Sequence, residues 1–497
     1  MNWKIILKSF KHKEMQRRIF AVLGILLAFR FLAHVPVPIG DGETLKQILE
    51  NVFNANQSEL LGFMNILSGG ALANFSIMLA GLGPYINASI IMQLLTKAIP
   101  KLEQLRKDGE SGQKKINQWT RMLTFPLAAI QSIGMIYLVR TAAQSIGGVG
   151  DITANAGWEQ WVLMVTVMTG ASMLLMWMGE LITEQSLGNG ISLIITVGIV
   201  AGLPGMISDF WKEITTTDQK WNLFGQQLPI NKEAFIVTMI LLLSVLVLTI
   251  LVVKLNEAQR RLTINYAKRV QGNRTYGGVT TILPVKLIAA GVVPIIFAVA
   301  FLSVPSFVGQ LMAGSNNESW QQIGTNLLTW FQQPSYATFQ TGAWQAYIYP
   351  VVYFLLVFLF TFFYTSITFN TKEIAENLQK QGGFIEGVRS GLQTEKYLSK
   401  VSVRLTLFGA IALGFLALTP IIGQMFINSS IALGGTSILI LVSVSLETLR
   451  AVESRALMIT YDQYSRPDFF SELGDDDKAE SEEGKSKKRF FARKKSS

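Results

Sequence analysis

Apolar residues in this chain gather into ten long runs separated by polar, charge-rich stretches, at 19–36, 77–97, 122–140, 158–179, 190–206, 234–253, 285–311, 345–369, 403–424 and 431–449. About 20 apolar residues in a helix cross the hydrocarbon core of a bilayer, so each run is read as a membrane-spanning helix. The first run follows Lys4, Lys8, Lys11, Lys13, Arg17 and Arg18, and Phe31-Leu32-Ala33-His34-Val35-Pro36 behind it offers no small-residue cleavage site. It is read as a retained helix, not a signal peptide. One further stretch, Leu60 to Ile77, is apolar but short, and it carries Asn65, Ser68, Gly69, Gly70, Asn74 and Ser76. It does not read as a span. Non-helical backbone at membrane depth is tolerated only inside protein or beside a water-filled cavity, so this stretch predicts a cavity within the bundle.

Five runs precede the stretch 211–233 and five follow it. An odd-numbered half inserts its successor upside down, which predicts two inverted halves, 19–210 and 234–455, joined by an outward hinge loop. No residue-level repeat accompanies this symmetry. Charge sets the orientation. Of the 43 Lys and Arg, 37 lie in the amino-terminal segment 1–18, the loops 97–121, 254–286 and 370–404, and the tail from Arg450. By the positive-inside rule both termini and these loops are cytoplasmic, and the loop 312–344, which has no Lys or Arg, faces outward. The tail 456–497 pairs Asp475-Asp476-Asp477 with a basic end at Lys485 to Lys495 and reads as a disordered cytoplasmic segment.

Composition agrees: half of the 497 residues are hydrophobic, 15% are charged and the mean hydropathy is +0.36. This is a polytopic membrane protein of the all-α class. Without cysteine there is no disulfide framework or thiol nucleophile, and His12 and His34 alone make no histidine metal centre. No phosphate-binding loop, nucleophile elbow or zinc motif is present. Glu180, Glu184 and Glu447 fall near span ends. No cofactor, metal or catalytic residue is expected, and energy for any transport must come from a partner.

The loop after the second run reads Ile99-Pro100-Lys101-Leu102-Glu103-Gln104-Leu105-Arg106-Lys107-Asp108-Gly109-Glu110-Ser111-Gly112-Gln113-Lys114-Lys115-Ile116-Asn117-Gln118-Trp119-Thr120-Arg121. Further along stand Ser68-Gly69-Gly70-Ala71-Leu72, Pro84-Tyr85-Ile86-Asn87-Ala88-Ser89-Ile90, Gly188-Asn189-Gly190-Ile191-Ser192, Asn265-Tyr266-Ala267-Lys268-Arg269 and Gly434-Gly435-Thr436-Ser437. In this order, and on these sides of the membrane, the motifs resemble the SecY family, the central subunits of the bacterial protein-conducting channel. The resemblance covers about residues 15 to 460.

The resemblance implies a channel that passes unfolded preproteins outward across the bacterial inner membrane and releases transmembrane segments sideways into lipid. Leu82 and Ile86, and likewise Ile191 and Ile195, are spaced i, i+4, so each pair shares a helix face. By resemblance these four, with Ile296 and Ile440, form a pore ring, which would seal against ions by packing and dewetting. The family usually has isoleucine where Leu82 stands. On spacing alone such residues face lipid or core; only the resemblance assigns them to a pore. The stretch about 60–77 is then implied to be a re-entrant plug helix, with Phe63, Met64, Asn65, Ser68, Gly69, Gly70 and Asn74 at its centre, the alternative being a structured outward loop.

Asn87, Gln93 and Gln131 are polar side chains within spans, costly unless paired or wetted. By resemblance they line a lateral gate between the second and third spans and the seventh and eighth; the alternative is plain interhelical hydrogen bonding. Lys268, Arg269, Arg274 and Arg389 lie in the long basic loops. The resemblance makes these docking sites for the translating ribosome and the SecA motor ATPase, although Asn273-Arg274 stands where the family commonly has paired arginines. The alternative is that these charges set topology and attract anionic membrane lipids. SecE- and SecG-like small subunits and signal-sequence-bearing preproteins complete the implied partners. A second function class is an ion-coupled secondary transporter with inverted repeats, and it requires an ionisable cluster near the midplane, where Arg30 is the one clear candidate. A membrane-embedded protease lacks a catalytic pair.

Overall fold

A computed structural model describes residues 12–37, 76–145, 157–215, 232–266, 280–289, 291–313, 317–331, 344–426 and 435–464, with short pieces at 221–223, 226–228, 269–271, 274–276, 278, 333–334 and 336–340. In chain order its elements are α1 (Lys13–Leu32), α2 (Gly83–Ala98), α3 (Pro100–Lys107), α4 (Glu110–Ser145), α5 (Trp158–Glu184) and α6 (Gly190–Thr215). Then come β1 (Trp221–Leu223), β2 (Gln226–Leu228), α7 (Lys232–Glu257), β3 (Gln259–Tyr266), β4 (Arg269–Gln271), β5 (Arg274–Tyr276) and β6 (Thr280–Lys286). The chain continues through α8 (Val293–Ala313), α9 (Glu318–Phe331), α10 (Tyr336–Gln340), a 3-10 turn (Trp344–Tyr347), α11 (Ile348–Thr368), α12 (Thr371–Lys380), β7 (Gly383–Ile385), α13 (Leu392–Phe426) and α14 (Gly435–Tyr464).

The ten apolar runs correspond to α1, α2, α4, α5, α6, α7, α8, α11, α13 and α14. Among the described residues, five stretches are both long and apolar enough to cross a bilayer unaided: Trp158–Glu184, Phe235–Glu257, Val293–Ala313, Trp344–Lys380 and Leu392–Gly423. α7 is the plainest case. It exposes Ile236, Met239, Ile240, Leu242, Leu243, Leu246, Val247, Ile250 and Leu251 around its girth and buries chiefly Leu248 and Val252, as a helix facing hydrocarbon does. The other five runs fall short of that length or hydropathy within the described residues; α2 has only 16 residues.

Three boundaries depart from the sequence reading. The run at 285–311 begins as strand, because Thr280–Lys286 pairs antiparallel with Gln259–Tyr266 and the helix starts only at Val293. The loop 370–404 contains α12, β7 and the first turns of α13, and the tail is helical as far as Tyr464. β7 joins the other edge of β3, giving the strand order β6-β3-β7. Alternation along β3 turns Leu262 and Ile264 inward against Val285, Leu378, Ile385 and Leu398, the period-2 pattern of a half-buried strand. This small core ties the segment after α7 to the segment after α11. The stretch 211–233 holds a short hairpin, Trp221↔Leu228 to Leu223↔Gln226.

Candidate functional site

The local chemistry before α2 is a chain of small devices. The Ser76 hydroxyl donates to the Leu32 carbonyl at 2.9 Å, and Ile77 N–H donates to the Val35 carbonyl at 3.0 Å, pinning the entry to the end of α1. Gly81 adopts φ +56, a left-handed conformation open to glycine. Its carbonyl accepts a 2.8 Å bond from Ser172 of α5. Leu82 follows as N-cap and Pro84 opens the first turn, where a missing N–H costs nothing.

The entry to α6 is built as tightly. Gly188 has φ +131. The Asn189 side chain accepts from Ile191 N–H at 3.1 Å, a cap worth about 1 kcal/mol. Thr183 accepts from Gly190 N–H at 2.9 Å. A Cβ on Gly190 would run into the Gly179 carbonyl and Ile182. Each residue of Gly188-Asn189-Gly190 thus has its own steric or hydrogen-bonding reason, and together they set Ile191 and Ile195 on the first turns of α6.

Leu82, Ile86, Ile195, Ile296 and Ile440 are all buried in one apolar cluster, and Ile191 is half-buried against it. These side chains come from the α2 entry, α6, α8 and α14, so both halves of the chain contribute. A set of aliphatic side chains meeting without charge can close a narrow passage by packing.

Beside this cluster α8 packs on α2 and α4. The ring of Phe307 on α8 occupies the space a Cβ would fill at Gly134 of α4. Gln131 lies against Gly83, its Nε2 2.8 Å from where a Cβ would stand. Gln93 donates from Nε2 to Ser89 Oγ at 3.0 Å while its Oε1 is buried without a partner, as are the hydroxyls of Ser132 on α4 and Ser306 on α8. Asn87 is half-buried on α2. The contact between these helices therefore combines the Phe307–Gly134 lock with the Gln131 amide set against Gly83.

A family model for SecY matches residues 76–449. The protein translocase subunit SecY of Streptomyces galbus is 37% identical over 465 residues, spanning 92% of this chain and 99% of that one. The chain belongs to the SecY family. Two solved structures share its fold. "The structure of a protein conducting channel" matches with a TM-score of 0.58 at 15% identity over 87% of this chain and 91% of that one. "Sec61 in the Canine ribosome-channel complex from the endoplasmic reticulum" matches with a TM-score of 0.53 at 14% identity over 87% and 91%. This SecY-family chain is an all-α, multi-pass membrane protein, and that membership favours a translocase subunit over the ion-coupled carrier.

Within the SecY-family framework the remaining expected site residues divide. Phe63, Met64, Asn65, Ser68, Gly69, Gly70, Asn74 and Lys268 lie outside the described residues. Arg269 and Arg274 open β4 and β5, in a hairpin with Gln271 opposite Arg274. Arg389 is exposed in the turn between β7 and α13, where its carbonyl accepts from Thr394 Oγ1 at 3.0 Å. The β3–β7 pairing places that turn on the same small sheet as the α7–α8 connection.

Sequence reading did not single out Gly134 and Phe307, whose pairing has no local signature. It also missed the ion pair of Arg121 on α4 with Glu180 on α5, a 3.0 Å hydrogen bond from Nε to Oε1 with a 2.6 Å approach of Nη2 to Oε2 that lacks hydrogen-bond alignment. A third contact joins the first and last helices, with Glu14 of α1 meeting Arg18 at 3.1 Å and Arg455 of α14 at 3.6 Å. Arg18 also donates to the Gln185 carbonyl at 3.1 Å, next to the α6 entry.

Proposed function

We propose that this chain is the central subunit of a protein-conducting channel that moves unfolded preproteins across the bacterial inner membrane and releases transmembrane segments into lipid. The observation that carries the reading is the meeting of Leu82, Ile86, Ile191, Ile195, Ile296 and Ile440 in one apolar cluster beside the α2–α4–α8 contact, in a chain of the SecY family. An aliphatic constriction blocks ions when idle and yields to an extended chain without offering it a binding charge. The two inverted halves move apart in this reading. The Gly134–Phe307 contact then marks the closed lateral gate, with Asn87, Gln93 and Gln131 along its polar seam. The segment about 60–77 acts as the plug.

The channel is passive. Its driving force comes from a SecA-type ATPase or a translating ribosome docking on Lys268, Arg269, Arg274 and Arg389, whose cations suit RNA phosphates or acidic protein surfaces. A ribosome-bound relative of the same fold supports the second partner. SecE- and SecG-like subunits complete the complex, and both termini with the basic loops face the cytoplasm. Reconstitution with a SecA-type ATPase and a preprotein, scored by protease protection inside vesicles, tests the reading. ATP-dependent protection is expected; its absence with an active motor and a competent substrate overturns it.

A further inference from the structure

Helix α9 has an apolar flank that no described part of the chain covers. Around its axis Gly324 is buried and Leu327, Leu328 and Phe331 are half-buried, whereas Trp320, Ile323 and Trp330 remain 52%, 48% and 37% exposed. At about 100° per residue Ile323 and Trp330 form one edge of the apolar arc, Trp320 lies nearer its middle in the first turn, and Gln322, Thr325, Asn326 and Thr329 fill the opposite side.

The depth of this helix follows from a glycine crossing. A Cβ on Gly324 would collide with Ala313 N and lie 2.6 Å from the Gly309 carbonyl, and one on Gly309 would lie 2.9 Å from Leu327 Cβ. Such close approach draws α9 back alongside the last turn of α8 instead of letting it project beyond that helix end. Which end this is can be fixed by α14: Gly188, before α6, lies against Thr448, and Gly291, before α8, lies near Glu447. The starts of α6 and α8 therefore share one end of the bundle. Their far ends, with Trp211 and α9, share the other, as does the start of α5 at Trp158. There Trp158, Trp211, Trp344 and Tyr347 are exposed as well.

Tryptophan and tyrosine gather where hydrocarbon meets headgroups, because the ring is apolar and its N–H or O–H is wet. The flank of α9 also continues the exposed apolar side of α8 at Phe301, Val304 and Val308. We infer that α9 is an interfacial membrane helix, with the exposed flank that carries Trp320, Ile323 and Trp330 sunk about 5–10 Å into the headgroup and acyl boundary. Residues 312–344 contain no Lys or Arg, so its lipid contact rests on apolar burial and not on attraction to anionic headgroups. The helix would hold the outer part of α8 at a fixed depth.

The chain has no cysteine, so single-cysteine variants Ile323→Cys and Thr325→Cys, both of which keep the tryptophans, can carry an NBD label on the full chain in phosphatidylcholine vesicles. The label at 323 is expected to be blue-shifted and quenched several-fold more by shallow doxyl-lipid than the label at 325, equally with and without added phosphatidylglycerol. Equal quenching on both faces overturns the inference. So does a label at 323 that is shielded from water yet not quenched by lipid, which would mean a protein covers the flank. Dependence on anionic lipid would overturn the charge-independent contact. Labelling of Thr325→Cys by a water-soluble maleimide checks that the polar face stays wet in the folded variant.

Discussion

At the residue scale, the tightest steric facts concern glycines that admit a neighbour's atoms. Phe307 sits in the space above Gly134, so a methyl there must displace an aromatic ring on another helix. Gly134→Ala is expected to cost about 1–3 kcal/mol through overpacking and to loosen the α4–α8 contact. Transport of a preprotein with a defective signal sequence should then rise, and Gly134→Ala with Phe307→Ala should bring stringency part of the way back. A single variant as stringent as the parent would remove this contact from the gate. Gly190 differs, because its near neighbour is the Gly179 carbonyl and backbone cannot swing aside as a ring can.

At the scale of elements, short-range charge orders the pieces outside the apolar zone. In α3 Glu103 meets Lys107 one turn later at 3.1 Å, and the hydrogen bond to that lysine holds its carboxyl below the ordinary 4.5. A carboxylate whose folded pKa is depressed contributes stability that is complete above the unfolded value and lost as pH falls through the folded one. Hydrogen exchange at the α3 amides, corrected for intrinsic rate, should therefore quicken below pH 4.5, and Glu103→Gln should abolish that pH dependence. The β6-β3-β7 sheet joins two connecting segments and supports the turn bearing exposed Arg389. Because that side chain stands clear of the sheet core, Arg389→Glu should leave membrane insertion intact while abolishing motor-driven transport. Normal ATP-dependent protection of a preprotein would contradict a docking role.

At the scale of the whole molecule, the apolar cluster from the α2 entry, α6, α8 and α14 draws on both halves of the chain at the proposed passage. Two barriers are proposed there, the aliphatic ring and the segment about 60–77. Deleting Phe63 to Asn74 should raise resting ion conductance in planar bilayers, because a ring without its plug opens transiently; unchanged conductance would count against the plug. Replacing Ile86 and Ile195 by asparagine in the same background should raise it further, since polar side chains wet a constriction that aliphatic ones keep dry.

Hydrophobic patterning by itself determined the ten helices and the all-α membrane class, because the cost of burying unpaired backbone in hydrocarbon leaves a long apolar run no alternative to a helix. Patterning did not mark Gly188-Asn189-Gly190, which stood out only as part of the family-like motif Gly188-Asn189-Gly190-Ile191-Ser192; its cap and left-handed glycine are visible only in the folded chain. Short strands escaped it: Thr280–Lys286 is apolar enough to extend a span, and only pairing with Gln259–Tyr266 made it a strand. Likewise the loop 312–344 concealed α9, which a glycine crossing packs against α8. The meeting of Leu82, Ile86, Ile191, Ile195, Ile296 and Ile440, the lock of Phe307 over Gly134 and the Arg121–Glu180 pair were decided by tertiary structure alone. Each joins residues far apart in the chain, and which faces of ten similar apolar helices meet is set by side-chain shape, a property that hydropathy does not encode.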